Sequence, residues 1–209
     1  GRALAEMGQL NEALADHDQA IKLNPNYAEG YSSRGIILKD LNRLNDAHDS
    51  FNMAISINPN YAEAFLNRGN LLNILKRTDE ALTSFDKAIS IKCKYPEAHS
   101  NRGNALKELG RLDDALASYD EAISINSNYA EAYSNRGNAF FQLYKFDEAL
   151  ASFDKSISIN PDYAEAYYNK GVTLKNINRL NDSVASFQNA IRLNPNYASA
   201  NWNLALCNL

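Results

Sequence analysis

A tyrosine returns every 34 residues along the chain, at Tyr27, Tyr61, Tyr95, Tyr129, Tyr163 and Tyr197, and a glycine keeps the same interval at Gly35, Gly69, Gly103, Gly137 and Gly171. A fixed period of this length limits the fold to a stack of one small unit. Such a unit cannot bury its own apolar face and must lean on its neighbours. Counted from the residue after each tyrosine, five repeats are complete: 28–61, 62–95, 96–129, 130–163 and 164–197. Residues 1–27 supply positions 8 to 34 of another, and residues 198–209 open a further partial repeat with a terminal helix. A single solenoid domain over 1–209 is the expected organisation.

Each unit carries the helical period twice. Positions 4, 8, 11 and 14 (Tyr133, Gly137, Phe140 and Leu143 in one copy) share one helix face, as do positions 17, 20, 24, 27 and 28 (Phe146, Ala149, Phe153, Ser156 and Ile157). Asn or Asp stands at position 18 in every copy (Asn11, Asn45, Asp79, Asp113, Asp147, Asn181), followed by an acid, which predicts the start of the second helix there. Proline at position 32 (Pro25, Pro59, Pro161, Pro195) stops that helix. Asn60 and Asn128, with Glu63 and Glu131 three residues on, are expected to cap the next first helix as capping boxes. The pattern predicts an all-α chain of thirteen helices.

This arrangement resembles the tetratricopeptide repeat (TPR), a 34-residue helix-turn-helix unit, over the whole chain. The likeness rests on the large residue at position 4, glycine at 8, small residues at 20 and 27, an aromatic at 24 and proline at 32. It implies a right-handed superhelical solenoid whose first helices line the concave surface, with the position 24 aromatics (Phe51, Phe85, Tyr119, Phe153, Phe187) filling space between repeats. Position 7 departs from the family, being Arg34, Arg68, Arg102, Arg136 or Lys170, so the stem must pack while the charge finds an exit or an acid. Ser127 and Cys93 stand where proline is usual, which leaves those two junctions less sharply fixed.

On the first helix, positions 2, 6, 9 and 13 fall within about 60° of one another, opposite the core face. Position 6 is Asn67, Asn101, Asn135, Asn169 and Asn203, and position 9 is Asn70, Asn104 and Asn138 in the middle repeats. Asn inside a helix is about 0.6 kcal/mol worse than Ala, so eight cost on the order of 5 kcal/mol that something should offset. Each amide can both donate to and accept from the main chain of an extended peptide, which would make these eight residues a peptide-binding ladder. They could equally bond a neighbouring first helix or solvate the wall. The ladder is similar to that of the repeat arm of the O-linked N-acetylglucosamine transferase family. That likeness implies an alternative role, as the substrate-recognition arm of a larger glycosyltransferase. The position 2 glutamates (Glu29, Glu63, Glu97, Glu131, Glu165) read as capping partners or as repulsion of acidic ligands. Leu66 and Ile74, and Phe141 and Tyr168, are candidate side-chain pockets or contacts between first helices. A clamp for a C-terminal carboxylate fits less well, since positions 5 and 9 hold no Lys or Arg.

Charge excludes other partners. Lys+Arg 21 against Asp+Glu 25 gives a formal net charge of -4 with no basic cluster, which argues against nucleic acid and membrane surfaces. Two cysteines, Cys93 and Cys207, make neither a disulfide framework nor a zinc site, and point to a reducing, cytoplasmic setting. His17, His48 and His99 replace apolar or aromatic residues in their repeats and read as packed side chains. No nucleophile with its base, phosphate loop, metal site or cofactor is expected, so the chain reads as a non-catalytic scaffold for a protein or extended peptide. Both ends interrupt a repeat, which suggests a longer natural protein. The last segment, with Trp202, Leu204, Leu206 and Leu209, is expected to drive end-to-end self-association.

Overall fold

A computed structural model describes residues 2–207, with side chains from Gly8 to Cys207; Gly1, and the Leu209 assigned above to an apolar end, lie outside the described residues. Twelve helices follow one another: α1 (Arg2–Leu23), α2 (Ala28–Asp40), α3 (Leu44–Ile57), α4 (Ala62–Ile74), α5 (Thr78–Ile91), α6 (Pro96–Glu108), α7 (Leu112–Ile125), α8 (Ala130–Gln142), α9 (Phe146–Ile159), α10 (Ala164–Asn176), α11 (Leu180–Leu193) and α12 (Ala198–Cys207). No strand occurs among the described residues. The chain divides into two compact units, Gly1–Ala105 and Leu106–Leu209, with the boundary inside α6. Within the first, α2 packs on α1 and α3, and α4 on α3 and α5; within the second, each helix from α7 to α12 packs on the next.

The expected thirteen helices become twelve among the described residues because α1 is continuous. Its Gly8, Gln9 and Leu10 occupy the positions of the turn and are all compatible with helix, so Asn11 sits inside the helix instead of capping one. In the complete repeats the turn is set elsewhere than position 18. Position 15 is left-handed in every copy, at Asn42, Lys76, Gly110, Tyr144 and Asn178, with φ of 59°, 59°, 74°, 57° and 60°. This closes the first helix as a Schellman motif: in the first copy Asn42 N–H donates to Lys39 O (2.9 Å) and Arg43 N–H to Leu38 O (2.8 Å). The same pair of bonds recurs four more times, ending with Arg179 N–H to Leu174 O at 2.9 Å.

The second helix then starts at position 17, and its N-cap is a cation at 16 with no side-chain capping bond. The acid at 19 is used by that cation: Arg43–Asp46, Arg77–Glu80, Arg111–Asp114 and Arg179–Asp182 form ion pairs of 2.6–2.7 Å. At the far end the asparagine at position 31, not 33, makes the turn. Asn58 Oδ1 accepts from Asn60 N–H (3.0 Å), and Asn126 Oδ1 from Asn128 N–H (3.1 Å). Tyr61 and Tyr129 are the N-cap residues, so the capping boxes expected from Asn60 and Asn128 do not form. The Ser127 junction therefore keeps its turn without proline, whereas the one at Cys93 has Lys92 at position 31 and no such bond is made there.

Small residues set the helix spacing. Phe51, Phe85, Tyr119, Phe153 and Phe187 are fully buried. The four phenylalanines close against the glycine of their own repeat: a Cβ at Gly35, Gly69, Gly137 or Gly171 would lie 2.5–2.7 Å from the ring. The position 7 cations find the acid that their burial demands, at position 25 of the preceding repeat. Arg34 pairs with Asp18, Arg102 with Asp86, Arg136 with Asp120 and Lys170 with Asp154, at 2.6–2.8 Å. Arg34 and Arg136 also donate to the buried Ser50 and Ser152 of their own repeats, so one guanidinium joins two repeats. Arg68 breaks the series, because position 25 before it is Asn52, whose Oδ1 accepts at 3.1 Å.

Candidate functional site

The first helices present the eight asparagines half-buried, four in each unit. In the first unit Asn67 and Asn70 stand on α4, and Asn101 and Asn104 on α6. Asn101 Nδ2 donates to Asn70 Oδ1 at 2.8 Å, so this pair bonds across neighbouring first helices. Asn67 behaves differently. Its Nδ2 is covered and has no partner among the described residues.

In the second unit Asn135 and Asn138 stand on α8, Asn169 on α10 and Asn203 on α12. Asn135 and Asn169 repeat the state of Asn67, with a covered and unbonded Nδ2. Asn203 is fully engaged: Nδ2 donates to Ser199 O (3.0 Å) and, at 3.5 Å, to the Tyr168 hydroxyl, and Oδ1 accepts from Lys175 Nζ (3.0 Å). The row therefore contains both amides already used inside the chain and amides held without a partner. A buried donor left unbonded costs about 1–3 kcal/mol, which adds to the helix-propensity cost of the same residue.

Beside Asn138 and Asn169 lies a cavity of about 320 Å³, lined also by Lys107, Phe141, Gln142, Tyr168 and Val172. Phe141 and Tyr168 thus border open space, as one of the two sequence readings allowed. Leu66 does not, being packed in the core with Phe85 and Tyr95, and Ile74 is simply exposed. Lys107 carries no signal in the sequence, because position 12 also holds Lys39, Asn73, Phe141 and Lys175. Its burial pushes its pKa down, while Glu165 and Glu108 oppose that shift.

The position 2 glutamates form ion pairs with no described residue, and they lie near the repeating tyrosines. Burial, reinforced by Glu63 and Glu97, raises the Tyr95 hydroxyl to about 12; burial with Glu165 and Glu131 does the same for Tyr163. Glu131 is itself raised, by burial and by Glu165. Each unit thus carries an acidic row in the first turn of its first helices, where the helix dipole favours negative charge. The three histidines, expected to be packed, are half-buried: His48 lies against Asn52 (3.3 Å), and a His99 ring nitrogen is 3.0 Å from Cys93 O. Among the described residues no three His, Cys, Asp or Glu side chains gather as a metal site, and no helix is long and apolar enough to cross a membrane.

One family model described as TPR repeat matches residues 1–42, 69–110, 103–144 and 137–178, and two described as tetratricopeptide repeat match 50–83 and 164–197. The chain belongs to the tetratricopeptide repeat family. Among solved TPR structures, YrrB, described as a TPR protein with an unusual peptide-binding site, is 26% identical with a TM-score of 0.67, covering 88% of this chain and 95% of that one. PilF of Pseudomonas aeruginosa gives a TM-score of 0.81 at 15% identity, covering 98% and 93%. TTC0263, a TPR protein of Thermus thermophilus, gives 0.71 at 20% identity, covering 86% and 98%. The last two share the fold alone. No curated protein matches the sequence. Membership of the TPR family supports a role as a protein-interaction scaffold for protein or peptide partners.

Proposed function

We propose that this TPR chain is a non-catalytic scaffold that holds extended segments of a partner protein against its first helices through an asparagine ladder, Asn67 and Asn104 in one unit and Asn135, Asn138 and Asn169 in the other, braced by Asn70 and Asn101 in the first and by Asn203 in the second. The observation that carries the reading is the state of Asn67, Asn135 and Asn169. Each is half-buried, has one amide atom covered without a partner, and has no side-chain hydrogen bond among the described residues. An amide in this state is set up for a ligand, because its bonding capacity is unspent. The carbonyl oxygen can accept from a peptide N–H, and a half-turn of the amide presents the donor to a peptide C=O. Asn101, Asn70 and Asn203 act within the same rows as braces that keep their neighbours' spacing. The peptide-binding site named for YrrB, at 26% identity over most of both chains, supports the same class of ligand.

Main-chain recognition by neutral amides makes binding tolerant of sequence and weakly dependent on salt. A mixture of N-acetylated, C-amidated decapeptides of varied sequence tests this. Replacing Asn67, Asn135 and Asn169 together by Ala should weaken binding of unrelated members alike and leave the helical circular dichroism unchanged. Selective loss of a few sequences would show that the amides read side chains. A steep fall with ionic strength would transfer the role to the position 2 glutamates. The finer likeness to the O-linked N-acetylglucosamine transferase arm rests on the position 6 asparagine column alone.

A further inference from the structure

The cavity of the second unit holds more than asparagine. Three first helices carry lysine at position 12, and two of the three lysines are partnered. Lys39 Nζ lies 3.5 Å from Asp40, and Lys175 Nζ donates to Asn203 Oδ1 at 3.0 Å. Lys107 is half-buried on the wall of the cavity and, among the described residues, makes neither a hydrogen bond nor an ion pair within 4.0 Å. Burial disfavours its charge, and Glu165 supports that charge only from beyond ion-pair distance. A partly desolvated ammonium with three donors and no acceptor is incomplete, and the missing group must bring an acceptor with it.

The other walls narrow the choice. Neither Asn138 nor Gln142 commits its amide to a partner among the described residues, so both can donate into the same space. Phe141 and Tyr168 offer ring surface for a short aliphatic stem. One lysine among neutral amides balances one negative charge. A dianion such as phosphate would exceed the single positive charge of the lining, and Glu165, whose charge reaches Lys107, would oppose the excess.

We infer that this cavity receives the side chain of an aspartate or glutamate in the bound segment, with Lys107 as its ion-pair partner and Asn138 and Gln142 as supporting donors. The inference rests on the peptide-holding reading above and adds a single point of side-chain choice to a surface that otherwise grips main chain.

A positional-scanning library of N-acetylated, C-amidated hexapeptides, captured on the 209-residue chain, tests it. The chain should recover peptides with Asp or Glu at one position roughly tenfold over their Asn and Gln counterparts, the difference expected of one charge-assisted contact. Lys107→Met, which keeps the stem, should erase that preference while recovering the rest of the library as before; Lys107→Arg should keep it. Equal recovery of acid and amide peptides, or a preference that survives Lys107→Met, would overturn the assignment. So would enrichment of free C-terminal carboxylates over amidated ends without any side-chain preference. Recovery of no peptide by any variant would instead refute the peptide-holding reading, and this one with it.

Discussion

Replacing Gly69 by Ala reverses the usual effect of that substitution in a helix. In an open helix interior, alanine is better than glycine by about 1 kcal/mol. At Gly69 the added Cβ would lie 2.5 Å from Phe85 Cε1, 2.8 Å from Cδ1 and 2.9 Å from Cζ. Ordinary carbon contacts are about 3.5–4.0 Å, so the ring must withdraw by about 1 Å. Phe85 is fully buried and has no free space to take. Overpacking of this kind costs about 1–3 kcal/mol, and three simultaneous close contacts put it near the top of that range. Setting the propensity gain against it leaves a net loss of about 1–2 kcal/mol. Gly8 is the control, since it sits inside α1 with nothing within 4 Å of its Cβ position, and Gly8→Ala should stabilise by about 0.5–1 kcal/mol. Urea unfolding followed by far-UV circular dichroism, read as midpoints because repeat arrays need not unfold in one step, gives both signs. Phe85→Leu should also cost less in the Gly69→Ala background than in the parent chain. If both glycine variants were stabilised equally, contact with the position 24 ring would not be what keeps position 8 small.

Three further outcomes follow from other parts of the structure. Asn52→Asp should give Arg68 the carboxylate that Arg34, Arg102, Arg136 and Lys170 already have; with half-exposed partners the gain is only about 0.5 kcal/mol, and a thermal shift that persists in high salt would contradict the pairing. Burial, with the charges of Arg77 and Arg68, holds His48 below its ordinary pKa of 6.5. The folded chain therefore binds fewer protons than the unfolded one, and stability is complete above that pH and falls as the pH drops below it; His48→Gln should flatten that part of a stability profile, and an unchanged slope would refute it. Trp202 is 68% exposed and Leu206 40% exposed on α12, so sedimentation of the 209-residue chain should show association that Trp202→Glu weakens, and a strict monomer at high concentration would remove the idea.

The repeat makes the helices and the core legible, because apolar spacing reports which face is covered: Phe51, Phe85, Phe153 and Phe187 sit where their period places them. The turns are not legible. Position 15 is left-handed where Asn42, Gly110 and Asn178 favour it and also at Lys76 and Tyr144, which do not, so in those two copies the Schellman geometry of the backbone imposes a conformation that the side chain does not announce. Asn45 and its equivalents look like caps because an asparagine before an acid usually is one, yet here the acid serves the cation at position 16. The stripe of asparagines is visible in the sequence, but its division is not. Whether an amide is bonded, as in Asn101 to Asn70, or left without a partner, as in Asn169, depends on distances between helices. Lys107 is hidden for the same reason: a lysine stands out only when its neighbours fail to pair with it.

The most direct test of the central claim observes the amides themselves. In an NMR titration with the blocked decapeptide mixture, the side-chain amide signals of Asn67, Asn135 and Asn169 should shift together and saturate together, and those of Asn203, already bonded, should move less. If those three signals stayed in place while binding was otherwise saturated, the partner would be held by another face of the repeats, and the asparagines would be structural.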